Sequence, residues 1–112
     1  MKIRQLSKPE PLKPTMLPKG YKGNVDLRSR PMYKNKDGSI STVKSAGFNI
    51  DGIEILLPTI GIKNGRPAQL TDDEAILLYK ATGKHLGKFK TPEQSDAMAE
   101  LIHKHQEKYY GK

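Results

Sequence analysis

The residues able to hold a metal or move a proton are few. His85, His103 and His105 are the only histidines, and the chain has no cysteine. Disulfides and thiolate metal ligands are therefore excluded. The absence of cysteine also fits a reducing compartment. His103-Lys104-His105 has the look of a metal pair. On a helix, however, residues two apart point roughly 200° away from each other, whereas a helical zinc pair needs a spacing of three or four. One of the two is expected to be partly buried beside Met98 and Ile102 and the other to face solvent. Asp72, Asp73 and Glu74 gather three carboxylates, a set that suits Mg²⁺ or acid–base work. Their place at the start of a helix accounts for them as charge facing the positive end of the dipole. No G-x-S-x-G elbow occurs. Neither a G-x-G-x-x-G nor a G-x-x-x-x-G-K-[ST] phosphate loop is present, and the glycines Gly83 and Gly87 lack the closing Gly-Lys-Ser/Thr. The sequence is thus read as non-enzymatic, with no catalytic residue, no metal and no cofactor.

Charge is the stronger signal. Residues 1–36 hold ten Lys or Arg against Glu10 and Asp26, a net +8, while residues 37–112 hold ten of each sign. The basic character belongs to the N-terminal third. Within it, residues 1–20 carry Pro9, Pro11, Pro14 and Pro18 among Lys2, Arg4, Lys8, Lys13 and Lys19. Proline at that density biases the chain toward extended conformation, and Ile3, Leu6, Leu12, Met16 and Leu17 follow neither a helical nor a strand period. These residues read as an extended basic arm that docks on a protein neighbour. The alternative partner is nucleic acid. Lys22, Arg28, Arg30, Lys34 and Lys36 would then neutralise phosphate without reading sequence, and Tyr21 or Tyr33 would stack on bases. No apolar run reaches the roughly 18–20 residues of a membrane span, and no secretory signal is recognisable at the N-terminus.

The remaining residues, 21–112, must supply the body that presents these groups. Apolar residues make up 35% of the chain, which sets a modest core for one small domain. Asp51-Gly52 between apolar runs predicts a two-residue hairpin turn. The register then pairs Ile50 with Ile53, Phe48 with Ile55 and Ala46 with Leu57 on an apolar side. Asn49 with Glu54, Gly47 with Leu56 and Val43 with Ile60 fall on a mixed side. Val25 and Leu27 alternate ahead of Pro31 and suggest an edge strand. The turn at Asn35–Gly38 then returns the chain so that Met32 and Tyr33 approach Ile40, giving a three-stranded antiparallel meander. Residues 61–69 read as a loop, or alternatively as a short ribbon turning at Asn64-Gly65, with Pro67 counting against it. Thr71 with Glu74 and Thr91 with Gln94 are capping boxes that open two helices. Ala75, Ile76, Leu78, Tyr79 and Thr82 form the inner stripe of the first, which ends at Gly83. Leu86 and Phe89 plug the core from the following loop. Met98, Leu101, Ile102, His105 and Tyr109 line the second, and Tyr110 is half-exposed. The expected fold is α+β, a three-stranded meander whose apolar face is covered by two C-terminal helices.

The order of particular residues carries a resemblance. It runs through Gly23-Asn24-Val25-Asp26-Leu27, Arg30-Pro31, residues 37–43, residues 48–52 and Leu56-Leu57-Pro58-Thr59. It continues through Asp72-Asp73-Glu74-Ala75, Tyr79, residues 82–89, Thr91-Pro92-Glu93 and Glu107-Lys108-Tyr109-Tyr110. This series resembles a small module of tailed bacteriophages met in virion-associated proteins. In some short-tailed phages a similar stretch lies within large internal or ejected polyproteins, some of which also carry lytic transglycosylase domains. The likeness covers about residues 21–110 and leaves out the arm. It implies a minor structural protein of a virion (tail, head–tail connector or internal protein), located in the particle and in host cytoplasm before assembly. Its partners would be other virion proteins, in a copy number set by particle symmetry. No catalytic residue is carried over with it.

Overall fold

The computed structural model describes residues 16–110. It is α+β, with antiparallel sheets and two helices. The elements are β1 (Tyr33–Lys34), β2 (Ile40–Ser41), β3 (Ser45–Ile50), β4 (Ile53–Pro58), β5 (Ile60–Lys63), β6 (Arg66–Gln69), α1 (Asp72–Thr82), β7 (Gly87–Phe89) and α2 (Pro92–Tyr110).

The β3–β4 hairpin has the register that the Asp-Gly turn dictates, from Ile50 opposite Ile53 to Ser45 opposite Pro58. Asp51 and Gly52 both take positive φ, 52° and 82°, as a type I′ turn requires. The short β1–β2 ribbon closes as expected, Tyr33 opposite Ser41 around a turn with Gly38 at φ 90°. Residues 61–69 are not a loop. Asn64 and Gly65 take φ of 53° and 77° and join β5 to β6. Pro67 is tolerated because it lies opposite Ile62 at a position that makes no ladder bond, so its missing N–H removes none.

Further expectations are corrected. The three-stranded sheet has the order β3-β4-β7, so its third strand follows α1 and the sheet is not a meander. Residues 23–32 form no strand. Their backbone is bonded elsewhere: the Asn24 and Val25 N–H groups both donate to the His85 carbonyl (2.9 and 3.3 Å). Val25 and Leu27 are nevertheless core residues. Gly23 makes this crossing possible, since a Cβ there would lie 2.6 Å from both the His85 oxygen and Leu86 Cα.

Nor do the two helices share one face of the hairpin. Cross-strand partners point to the same side of a sheet. Gly47 and Leu56 are partners, and Leu56 packs with Met98 and Ile102 of α2. A Cβ on Gly47 would sit 3.1 Å from the Ser95 hydroxyl of α2. Lys88 is the partner of Ile55 on the other side, where its ammonium lies 5.8 Å from the ring centre of Tyr79 on α1. α1 thus covers the side holding Ile55 and Leu57, and α2 covers the side holding Leu56. β4 is buried on both faces, with Ile55, Leu56 and Leu57 all 2% exposed or less.

Local chemistry sets both helix starts. Thr71 and Glu74 close their capping box from both directions. Gly83 ends α1 in the left-handed region, its N–H donating to the Tyr79 carbonyl. Thr91 caps α2 by accepting from the Gln94 N–H, while the Gln94 side chain reaches one residue farther back, to the Lys90 N–H. Ser95, Met98, Ile102 and Gln106 are the buried positions of α2 among the described side chains. Their spacing of three and four is that of one helix face.

Candidate functional site: a lysine-rimmed groove

The backbone entering the body from the arm is held along α2. Nε2 of His105 lies 2.9 Å from the Met16 carbonyl, and its Nδ1 lies 3.0 Å from the Gln106 side-chain nitrogen. A carbonyl only accepts and an amide NH₂ only donates, so Nε2 carries the proton. Gln106 is buried and joins three segments. Its Nε2 donates to the Leu27 carbonyl (3.0 Å) and its Oε1 accepts from the buried Thr42 hydroxyl. Tyr21 packs against the core, its N–H donating to the Pro18 carbonyl and its hydroxyl to the Val25 carbonyl at 2.8 Å. Burial pushes the phenol up to about 12.

This segment forms one wall of an open groove of about 960 Å³. Met98, Leu101 and Ala97 of α2, Phe89 of β7 and Ile53 at the hairpin tip supply apolar lining. Lys19, Lys22 and Lys90 stand exposed around it, and among the described residues no carboxylate lines it. Lys88 also lines the groove, although its ammonium is turned to the Tyr79 ring. An apolar floor with an unopposed cationic rim favours an anionic partner that carries apolar groups.

The residues singled out in the sequence fall into three groups. Lys2, Arg4, Lys8, Pro9, Pro11, Lys13 and Pro14 lie outside the described residues, as do the side chains of Tyr109 and Tyr110. Pro18, Lys19, Tyr21 and Lys22 belong to the strap beside the groove. The others do not join them. Arg28 is paired with Asp26 at 2.9 Å. Arg30 donates to the carbonyls of Thr42 (3.2 Å) and Ile60 (2.8 Å), tying its segment to the sheet. Tyr33 stacks under the Lys44 ammonium at 5.5 Å. Lys34 and Lys36 are exposed, Lys34 on β1 and Lys36 in the turn that joins β1 to β2.

Histidines and carboxylates are likewise dispersed. His103 faces Glu107 at 3.2 Å on the exposed side of α2. His85 packs edge-on to Tyr79. Burial, with Lys88 nearby, holds its pKa below the usual imidazole value. Glu74 binds Lys63 at 2.6 Å as well as the helix cap, which holds its carboxyl below the usual range. Among the described residues no His, Cys, Asp or Glu cluster could hold a metal ion. None of their helices is long and apolar enough to cross a membrane.

Sequence reasoning missed Lys90, because it lies in a charge-balanced part of the chain and reaches Lys19 and Lys22 only through the β7 pairing. It also missed Gln106, a polar residue in an apolar register whose only signal was its spacing from Met98 and Ile102. No protein-family model, curated protein or solved structure matches the chain.

Proposed function

We propose that the chain is a non-enzymatic minor structural protein of a bacteriophage particle, at the tail, the head–tail connector or among the internal proteins. It docks on neighbouring virion proteins through its basic N-terminal segment and the groove beside it. The observation that carries docking is the continuous lysine-rimmed apolar surface formed by Lys19, Lys22, Lys90, Phe89 and Met98. Its chemistry suits an acidic, partly apolar segment of another protein. The phage context rests on the ordered resemblance over residues 21–110. In this reading residues 1–20 add contact area on assembly. Host cytoplasm is the compartment before assembly. The test is quantitative analysis of salt-washed particles. A fixed copy number matching a symmetry element of the particle is expected, and absence from washed particles overturns the proposal.

A second reading, sequence-independent binding of nucleic acid, draws on the same lysines, since among the described residues no carboxylate in the groove opposes them. It needs affinity for duplex DNA that weakens steeply as salt rises. Failure to bind at low salt removes it.

A further inference from the structure

The outer edge of β3 is an open, self-complementary pairing edge, and we infer that a second copy of this chain occupies it, forming a six-stranded antiparallel sheet across a two-fold axis at Gly47. The inference rests on the fold alone and is independent of the phage reading. Among the described residues β3 pairs only with β4. Ile50 and Ile53 flank a two-residue turn and so form a hydrogen-bonded pair. Pairs alternate along an antiparallel ladder, so Ala46, Phe48 and Ile50 bond to β4. Consistent with this, the Lys44 carbonyl, two residues farther on, accepts from the Thr59 N–H. The N–H and C=O groups of Ser45, Gly47 and Asn49 therefore point outward. They have no hydrogen-bond partner among the described residues.

Natural edges are commonly blunted by lysine, proline or a bulge. Residues 45–50, Ser-Ala-Gly-Phe-Asn-Ile, contain no charge and no proline, and the β3–β4 register is unbroken from Ser45 to Ile50. An antiparallel copy centred on Gly47 sets Ser45 opposite Asn49 of the partner subunit, Gly47 opposite Gly47 of the partner subunit, and Asn49 opposite Ser45 of the partner subunit. Each of these pairs exchanges both N–H···O bonds, so every outward group is satisfied. A centre at Ala46 or Phe48 leaves one of the three residues outside the ladder of such pairs. On the side of the sheet facing α1, half-buried Phe48 then packs on half-buried Ala46 of the partner subunit, large against small. A two-fold contact of this kind closes on itself and leaves no growing edge at β3.

Amide exchange followed residue by residue tests this on the full chain. At millimolar concentration the amides of Ser45, Gly47 and Asn49 should exchange about tenfold more slowly, or slower still, than at low micromolar concentration. Those of Ala46, Phe48 and Ile50 should be protected at both. Outward amides that exchange freely at millimolar concentration overturn the inference. So does protection that does not depend on concentration, because the cover is then intramolecular. The absence of native cysteine permits a second measurement that reads register. Under mild oxidation, Ala46→Cys mixed with Phe48→Cys should cross-link more than either variant alone, since only the mixed pair is directly opposed. Equal cross-linking in all three samples overturns the two-fold at Gly47.

Discussion

Gln106 shows how much one side chain can organise. It is 5% exposed and serves the Leu27 carbonyl and the Thr42 hydroxyl from opposite ends of one amide. Gln106→Ala strands both partners in a buried setting, where each unsatisfied group costs about 1–3 kcal/mol. A loss of roughly 2–4 kcal/mol in urea unfolding is expected, whereas Gln106→Glu should also lose the bond to Leu27, because a carboxylate cannot donate. Tyr21 gives a pH-dependent counterpart. Its folded pKa of about 12 lies above the ordinary phenol value of about 10, so the folded state holds the proton over that interval and the unfolded state does not. The contribution is fully present below about pH 10 and is lost as pH rises toward 12. Ultraviolet titration should show a tyrosine ionising near pH 12, and Tyr21→Phe should remove that late step and flatten the stability slope between pH 10 and 12. Stability that does not change between those values in the native chain would contradict the burial of this ring.

At the scale of elements, the contact between α2 and β3 is set by Gly47 and Ser95. A methyl on Gly47 meets the Ser95 hydroxyl at 3.1 Å, and that hydroxyl is buried without a hydrogen-bond partner among the described residues. Ser95→Ala should therefore leave stability unchanged or raise it slightly, because an unsatisfied buried group disappears. Gly47→Ala alone should cost about 1–3 kcal/mol through overpacking, and clearly less in the Ser95→Ala background. A double-mutant cycle in denaturant measures that coupling, and strict additivity would refute the close approach. Elements of this kind were readable to different depths. The Asp51-Gly52 register and the Thr71 and Thr91 caps are written in four to twelve adjacent residues, where local chemistry decides. β7 is three residues long and has no period of its own. It exists because Leu56 and Glu54 pair with Gly87 and Phe89, a contact between segments some thirty positions apart. The placement of α1 and α2 on opposite faces was hinted at by the unbroken apolar run Ile55-Leu56-Leu57, which suits a strand buried on both sides better than a two-faced hairpin. α1 itself misleads: Leu78 and Thr82, expected on its inner stripe, are exposed, Leu78 by 43%, and Ala75 is its buried residue.

For the whole molecule, the decisive boundary is the one between arm and body, and the charge break at residue 36 does not mark it. Val25 and Leu27 are core residues, Asn24 donates to the Gly83 carbonyl and accepts from the His85 N–H, and Met16 is already bonded to α2. Contacts with the body thus reach back at least to Met16, within the segment that proline content assigns to the arm. A chain lacking residues 1–15 should fold with a melting temperature within a few degrees of the full chain. One lacking residues 1–27 should not fold, having lost two core side chains that are each worth about 1.5–3 kcal/mol on burial, along with the Asn24 staple. The shorter truncation also separates the two functional readings. Residues 1–15 hold Lys2, Arg4, Lys8 and Lys13 against Glu10, three of the chain's eight net charges. If the arm docks on virion proteins, the truncated chain should be soluble and folded yet missing from particles assembled with it in place of the full chain. If nucleic acid is the partner, each lost phosphate contact flattens the dependence of log affinity on log salt by about 0.9. Removing four cations should then reduce the slope by as much as about 3.6, leaving Lys19, Lys22 and Lys90 to hold a weaker, flatter residue of binding. Normal incorporation of the truncated chain, with no DNA binding by either form, would leave neither use of the arm standing and would put the whole docking function on the groove.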